Sequence, residues 1–277
     1  MINKIIDIIK SSKLFQRYCI INSQEVLYSN FSPNIENYLL KLIKLQKDIK
    51  INQYFILSLP KFSLEFIFYR INNQLYFIAN TKKVDAKHIE LLNKINKHIL
   101  EHSIKCILIS TANIYGPTPQ FSYPDQDEEF LNIVAMKSLI LLAGNQDQRA
   151  LTTSIIPISK DFGYVYLFYI NHPKGRAGIF DAAITIVVEN EVHDWLINSM
   201  DSITNIIKNY LKFNKIQVNE EGNIVYLEKP LEKLMEMIRN ELLHYSMPVQ
   251  VSIKGDPHHD IEELKKSITE LREMLGK

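Results

Sequence analysis

The chain has 277 residues, of which 46% are hydrophobic and 23% charged, a balance typical of a globular protein that buries a core. Its 32 basic and 31 acidic residues leave a formal net charge of +1, so neither nucleic acid nor an anionic membrane is expected as the main partner. The two cysteines, Cys19 and Cys106, lie in apolar runs, which predicts buried thiols in a reducing compartment and not a disulfide framework.

No targeting or membrane segment is predicted. Residues 1–13 lack the long apolar region and the small-residue cleavage site of a secretory signal. The most apolar run, residues 133–144, is interrupted by Lys137 and is shorter than the roughly 18 residues of a membrane span. These features predict a cytoplasmic protein without an integral membrane segment.

The first hundred residues follow the order α-β-β-α-β-β-β-α. Isoleucines at helical spacing predict a first helix over residues 2–15, and Ser32 followed by Pro33 is a typical start of a second helix. Strands are predicted at 17–22, 25–30, 53–60, 64–71 and 74–80, and a closing helix at 84–102. Together these elements predict one domain over residues 1–102.

The same order restarts near residue 104. Cys106 holds the place in its strand that Cys19 holds in the first strand of the chain. Strands are predicted at 105–110, 120–125, 152–159, 163–170 and 182–189, and helices at 127–144 and 192–212. The period is too long for a solenoid repeat, so we predict a second copy of the domain over residues 104–211.

The second copy differs from the first by two enlarged hairpin loops, residues 111–120 and 171–181. Insertions on a rigid scaffold are where function tends to lie. Lys174 and Arg176 make the second insertion the most basic short loop of this domain, and Arg149 lies on another loop. An arginine on a loop can act as a finger toward a nucleotide phosphate presented by a partner, although a solvated loop arginine fits the same residues.

Residues 212–277 have a different pattern and are predicted to form a C-terminal extension of a hairpin and helices. A short hairpin is expected over 215–229, a helix from Pro230, and a strand-like piece followed by a polar turn over 247–260. Apolar residues then recur at alternating steps of three and four, which is the seam of a short coiled coil: Ile261, Leu264, Ile268, Leu271 and Leu275. These five residues are candidates for dimerisation.

Motifs for catalysis or cofactor binding are absent from the sequence. There is no phosphate-binding glycine loop and no nucleophile elbow. His98 and His102 are four residues apart on the predicted helix, but we expect Glu101 to point elsewhere. The adjacent pair His258-His259 is typical of a solvated turn. We therefore predict no catalytic residue, no cofactor and no metal, with an enzyme of unrecognised type kept as an alternative.

One stretch carries a resemblance to known families. In residues 107–130, "ILISTANIYGPTPQFSYPDQDEEF", Gly116-Pro117 is expected to form a turn, Phe121 and Tyr123 a strand, and Asp125–Glu129 the start of a helix. This arrangement resembles the longin domains of nitrogen permease regulator-like proteins and folliculin. The element order of both copies resembles roadblock and longin domains, whose five-stranded antiparallel sheets carry flanking helices.

The resemblance implies a scaffold for small Ras-like GTPases, acting in small-GTPase regulation and membrane trafficking. It implies a homo- or heterodimer and, as partner, a GTPase or another roadblock or longin protein, with interaction candidates at Gly116, Pro117, Arg149, Lys174 and Arg176. Regulators of this kind usually carry a DENN-type domain after the longin domain, and residues 212–277 are too short for one, so we expect a non-catalytic protein. A structural dimerisation or tethering protein that needs no GTPase is the alternative.

Overall fold

The computed structural model describes residues 2–22, 24–45, 53–59, 63–72, 75–143 and 153–251. They form a mixed α/β protein in two compact units. One unit takes the described residues up to His98 and again from Ser246, and the other takes Ile99–Tyr245. Residues 212–245, predicted as part of a separate extension, thus lie in the same unit as residues 104–211. The domain ranges predicted from the sequence, 1–102, 104–211 and 212–277, stay predictions.

The secondary structure follows the predicted order. Before residue 104 the elements are α1 (Ile2–Ser12), β1 (Arg17–Asn22), β2 (Val26–Ser29), α2 (Pro33–Leu45), β3 (Gln53–Leu59), β4 (Leu64–Arg70), β5 (Leu75–Thr81) and α3 (Ala86–Ser103). After it come β6 (Ile104–Asn113), β7 (Gly116–Tyr123), α4 (Glu128–Ala143), β8 (Thr153–Ile158), β9 (Asp161–Arg176), β10 (Ile179–Val188), α5 (His193–Asn198) and α6 (Met200–Lys212). The chain continues with β11 (Ile216–Val218), β12 (Ile224–Leu227), α7 (Leu231–Tyr245) and β13 (Val249–Gln250).

The two large sheets share one strand order. The first runs β13-β3-β4-β5-β1-β2 and the second runs β7-β6-β10-β9-β8. When the five strands of each copy are counted along the chain, both sheets read 2-1-5-4-3 from one edge. The first sheet differs from the five antiparallel strands that we predicted, because β13 adds a sixth strand that pairs parallel with β3.

The first sheet is covered by helices on both faces. On one face α2 packs on a cluster of buried residues that includes Cys19, Phe66 and Ile78. On the other face the Tyr69 hydroxyl donates to Asn96 Oδ1 of α3 at 2.6 Å. Strand side chains alternate between the faces, so neighbouring apolar residues of β1, β4 and β5 are buried in turn on each side.

The second sheet is built in the same way. α4 covers one face through Val134, Ala135 and Leu139, which pack with Cys106 and other strand residues. On the opposite face, Tyr164 of β9 and Thr204 of α6 share a hydrogen bond of 2.5 Å between their hydroxyls. Both cysteines are buried, as predicted. In the part of the chain that the structure describes, every helix is too short or too polar to span a membrane.

The prediction of one continuous helix over residues 192–212 is wrong. This stretch is divided into α5 and α6 at Ser199, whose side chain is fully buried. The Ser199 hydroxyl donates to Trp195 O at 2.7 Å, and it also lies 3.2 Å from Leu196 O. A serine hydroxyl that bonds back to a carbonyl of the preceding turn bends a helix, which explains the break.

Candidate interaction surface

Three hairpins meet at one end of the second sheet. β10 is antiparallel to both β6 and β9, so the β6–β7 turn and the β9–β10 turn leave the sheet at the same end. The β11–β12 hairpin contacts both of them: Ile114 N donates to Glu221 O at 3.0 Å, and Gly222 lies against the Phe180 ring. We call the candidate residues here the hairpin surface: Ile114, Tyr115, Gly116, Pro117, Lys174 and Arg176.

The turn between β6 and β7 consists of Ile114 and Tyr115. The prediction that Gly116 and Pro117 form this turn is wrong, because they are the first residues of β7 and pair with the end of β6. Asn113 explains the difference: its side-chain oxygen accepts a hydrogen bond from Tyr115 N at 2.9 Å, which closes the turn one step earlier. The turn therefore presents two large apolar side chains, with Ile114 61% and Tyr115 77% exposed.

A network of amide side chains fixes this turn to the β11–β12 hairpin. Asn223 Oδ1 accepts hydrogen bonds from Asn113 Nδ2 at 2.7 Å and from Gln120 Nε2 at 3.4 Å. Gln120 Oε1 in turn accepts a hydrogen bond from Ile224 N at 2.8 Å. A turn held in this way loses little conformational entropy when a partner binds, which favours its use as a contact surface.

The predicted loop over residues 171–181 is instead a continuation of the β9–β10 hairpin. β9 runs to Arg176, and beyond the paired strands His172 N donates to Gly178 O at 3.0 Å. The structure thus places Lys174 and Arg176 at the end of a hydrogen-bonded ribbon, where both side chains are exposed. Among the described residues, neither cation has an ion-pair partner.

The hairpin surface combines apolar and basic character. An exposed tyrosine and an arginine are the residue types that most often anchor protein–protein interfaces. Arginine can also hold a carboxylate or phosphate with two parallel hydrogen bonds. The arrangement is therefore suited to binding a protein partner, and it contains no nucleophile with an adjacent base.

The thiols are not suited to chemistry either. Burial raises the pKa of Cys106 to about 12, and burial likewise raises the pKa of Cys19 above its ordinary value. The thiolate is the reactive form of cysteine, so both side chains are inert near neutral pH.

The described residues contain one group suited to a metal ion, and it lies outside the hairpin surface. The ligand atoms of His98, Glu101 and His102 on α3 all lie within 4.8 Å of one another. The expectation that Glu101 points elsewhere is therefore wrong, because residues three and four apart share a helix face.

The remaining candidate residues fall outside the described part of the chain. They are Arg149 and the five residues of the predicted coiled-coil seam, Ile261, Leu264, Ile268, Leu271 and Leu275. Of the five interaction candidates, the structure brings Gly116, Pro117, Lys174 and Arg176 to the same end of one sheet.

Sequence reasoning missed Ile114 and Tyr115 as turn residues, although Asn113 directly before them is a residue type that favours turns. It also missed the amide network, because Asn113 and Asn223 are 110 positions apart and nothing local marks them as partners. Comparison of the chain with models of protein families and with curated proteins finds no match.

Proposed function

We propose that this chain is a non-catalytic interaction protein that binds a small Ras-like GTPase through tandem roadblock/longin-like domains. The hairpin surface of the second unit is the proposed contact. Regulation of the GTPase would come from occupying or presenting it, since the proposal assigns no chemistry to this chain.

The repeated strand order carries this proposal. Both sheets read 2-1-5-4-3, with one helix joining the second and third strands of each copy. Roadblock and longin domains, which the sequence resembles, are likewise five-stranded antiparallel sheets whose middle strands are joined by one helix. Because one fold hosts many functions, a GTPase as partner is proposed from this likeness alone, whereas the contact is proposed from the exposed residues of the hairpin surface.

The edges of the second sheet favour binding through side chains over pairing of strands. β7 contains Pro117 and Pro119, and β8 contains Pro157. Proline cannot donate a backbone hydrogen bond, so a partner strand would pair poorly with either edge. A partner would then contact the exposed turns, where Tyr115 and Arg176 are available.

The proposal is tested by binding measurements with the full chain. Small GTPases encoded in the same genome are each loaded with GDP or with a non-hydrolysable GTP analogue and passed over the immobilised protein. We expect at least one of them to bind, and we expect Tyr115→Ala to weaken that binding by about 30-fold, the effect of a hot spot worth about 2 kcal/mol. Retention of no GTPase in either nucleotide state would contradict the proposal.

A charge-reversal pair separates the hairpin surface from a general effect of charge. Lys174→Glu with Arg176→Glu should abolish binding. Lys160→Glu with Lys208→Glu changes the net charge equally on exposed residues elsewhere in the same unit, and it should leave binding unchanged. Equal losses in the two double variants would assign the effect to net charge and would refute the surface.

The coiled-coil seam predicted from the sequence is the basis of the alternative, a tethering protein that needs no GTPase. Deletion of residues 260–277 should convert a dimer to a monomer in light scattering if these residues pair between chains. A dimer that depends on this segment, together with no GTPase binding, would favour the alternative. An unchanged mass after deletion would eliminate it.

A further inference from the structure

A histidine–glutamate–histidine group lies on one face of α3, away from the residues of the proposed function. His98, Glu101 and His102 occupy positions i, i+3 and i+4, and their ligand atoms all lie within 4.8 Å of one another. The three residues fall within five consecutive positions of a continuous helix, so their spacing follows from helix geometry alone. We propose that they bind a borderline divalent transition-metal cation, with Zn²⁺ as the reference ion.

The donor set determines the class of cation. Two imidazole nitrogens and one carboxylate oxygen are ligands that Zn²⁺ accepts, at distances of roughly 2.0–2.2 Å. Imidazole suits zinc, copper, iron and nickel, whereas Ca²⁺ and Mg²⁺ prefer sites made of oxygen ligands. Ligands that surround one ion at these distances are about 3–4 Å apart, so donors within 4.8 Å reach that arrangement by small side-chain rotations. The group therefore selects against the common hard cations.

The three ligands differ in burial: one side chain is buried and restricted in its motion, and the other two are exposed to solvent. His98 is only 9% exposed, so its ring is held by its surroundings, whereas Glu101 and His102 are exposed. Three protein ligands leave at least one position of a tetrahedral zinc ion for water or for a donor atom of a partner. The proposal thus describes an open site on a rigid helix, in which an approaching protein can supply the last ligand.

The site is tested on the full chain from which the adjacent pair His258-His259 has been removed by substitution. All variants carry His258→Ala and His259→Ala, so that this pair cannot contribute a second binding event. After treatment with a chelator and desalting, Zn²⁺ is titrated by calorimetry and Co²⁺ by its visible absorption. We expect one ion per chain, with affinity that falls as the pH is lowered, because protons compete for the imidazoles.

Two exposed ligands provide variants that should fold normally. His102→Ala should lower the Zn²⁺ affinity at least ~10-fold, since the loss of a mere outer-shell partner already costs about 10–100-fold. Glu101→Gln should also weaken binding, because a neutral amide is a poorer ligand for zinc than a carboxylate. Far-ultraviolet circular dichroism verifies that each variant keeps its helices.

Matched controls lie elsewhere on the described helices. His244→Ala removes an exposed histidine of α7, and Glu90→Gln removes an exposed carboxylate from α3 itself. Both controls should bind Zn²⁺ as the parent does. The proposal is refuted if the parent binds no ion, or if His102→Ala and His244→Ala bind with the same affinity. Loss of GTPase binding in the earlier experiment would leave this result unaffected.

Discussion

Gly222 tests whether the β11–β12 hairpin is pressed against the second sheet. An alanine Cβ at this position would lie 2.8 Å from Cδ1 and Cε1 of the Phe180 ring, which is closer than real Cβ contacts. Gly222 also has a φ of +91°, a conformation that disfavours residues with a Cβ. The backbone term is about 1–2 kcal/mol and the steric term about 1–3 kcal/mol, so Gly222→Ala should destabilise this unit by about 2–5 kcal/mol.

A second glycine separates the two terms. Gly178 has a φ of +83°, and an added Cβ there would meet no heavy atom within 4 Å. Gly178→Ala should therefore cost only the backbone term of about 1–2 kcal/mol. The difference between the two variants is the contact of Gly222 with Phe180.

The assay is urea denaturation followed by tryptophan fluorescence. Trp195 is the only tryptophan of the chain and is buried in the second unit, so its emission reports on that unit. A lower midpoint with an unchanged slope indicates a change in stability. If Gly222→Ala is no more destabilising than Gly178→Ala, the hairpin is not packed on Phe180 and the anchoring of the hairpin surface fails with it.

Three further predictions concern the core of the second unit. Ser138 and Thr185 are both fully buried, and their hydroxyl oxygens lie 2.7 Å apart. Ser138→Ala should therefore lower the free energy of unfolding by about 1–3 kcal/mol, and adding Thr185→Val should recover part of that loss. A double variant as unstable as the sum of the two single variants would contradict this coupling. Lys105 Nζ lies 2.6 Å from the buried Asp161 carboxylate, so Lys105→Met should cost about 3 kcal/mol in urea denaturation, and most of that loss should disappear in Lys105→Met with Asp161→Asn. Burial raises the pKa of the Cys106 thiol from 9.0 to about 12, so the unfolded chain loses this proton at a lower pH than the folded chain does. The free energy of unfolding should therefore fall as the pH rises from about 9 to 12, and Cys106→Ala should reduce this dependence on pH.

Local patterns were enough to predict most helices and strands. Short apolar runs rich in aromatic and β-branched residues marked strands such as β4 and β9, and Pro33 marked the start of α2. The equivalent places of Cys19 and Cys106 also identified the repeat, and both residues lie in first strands of the same strand order. These features depend on neighbours in the sequence, where side-chain period and proline geometry act directly.

Features that depend on distant residues escaped prediction. The strand-like piece predicted from residue 247 contains β13, but its place as a sixth strand of the first sheet was not predicted. That place depends on distant residues, since Val251 N donates to Tyr54 O at 2.8 Å. The candidate surface was predicted only in part. Lys174 and Arg176 stood out by charge, whereas the amide network that holds the turn at Ile114 and Tyr115 joins Asn113 to Asn223, 110 positions away.

The residue pattern alone thus predicted the order of elements, the recurrence of that order and the buried cysteines, because short-range periodicity decides which backbone conformation buries apolar side chains. Tertiary packing decided which hairpins converge and how β13 extends the first sheet. These outcomes depend on hydrogen bonds such as the one between Asn113 and Asn223, which form only after the sheet has brought distant residues together.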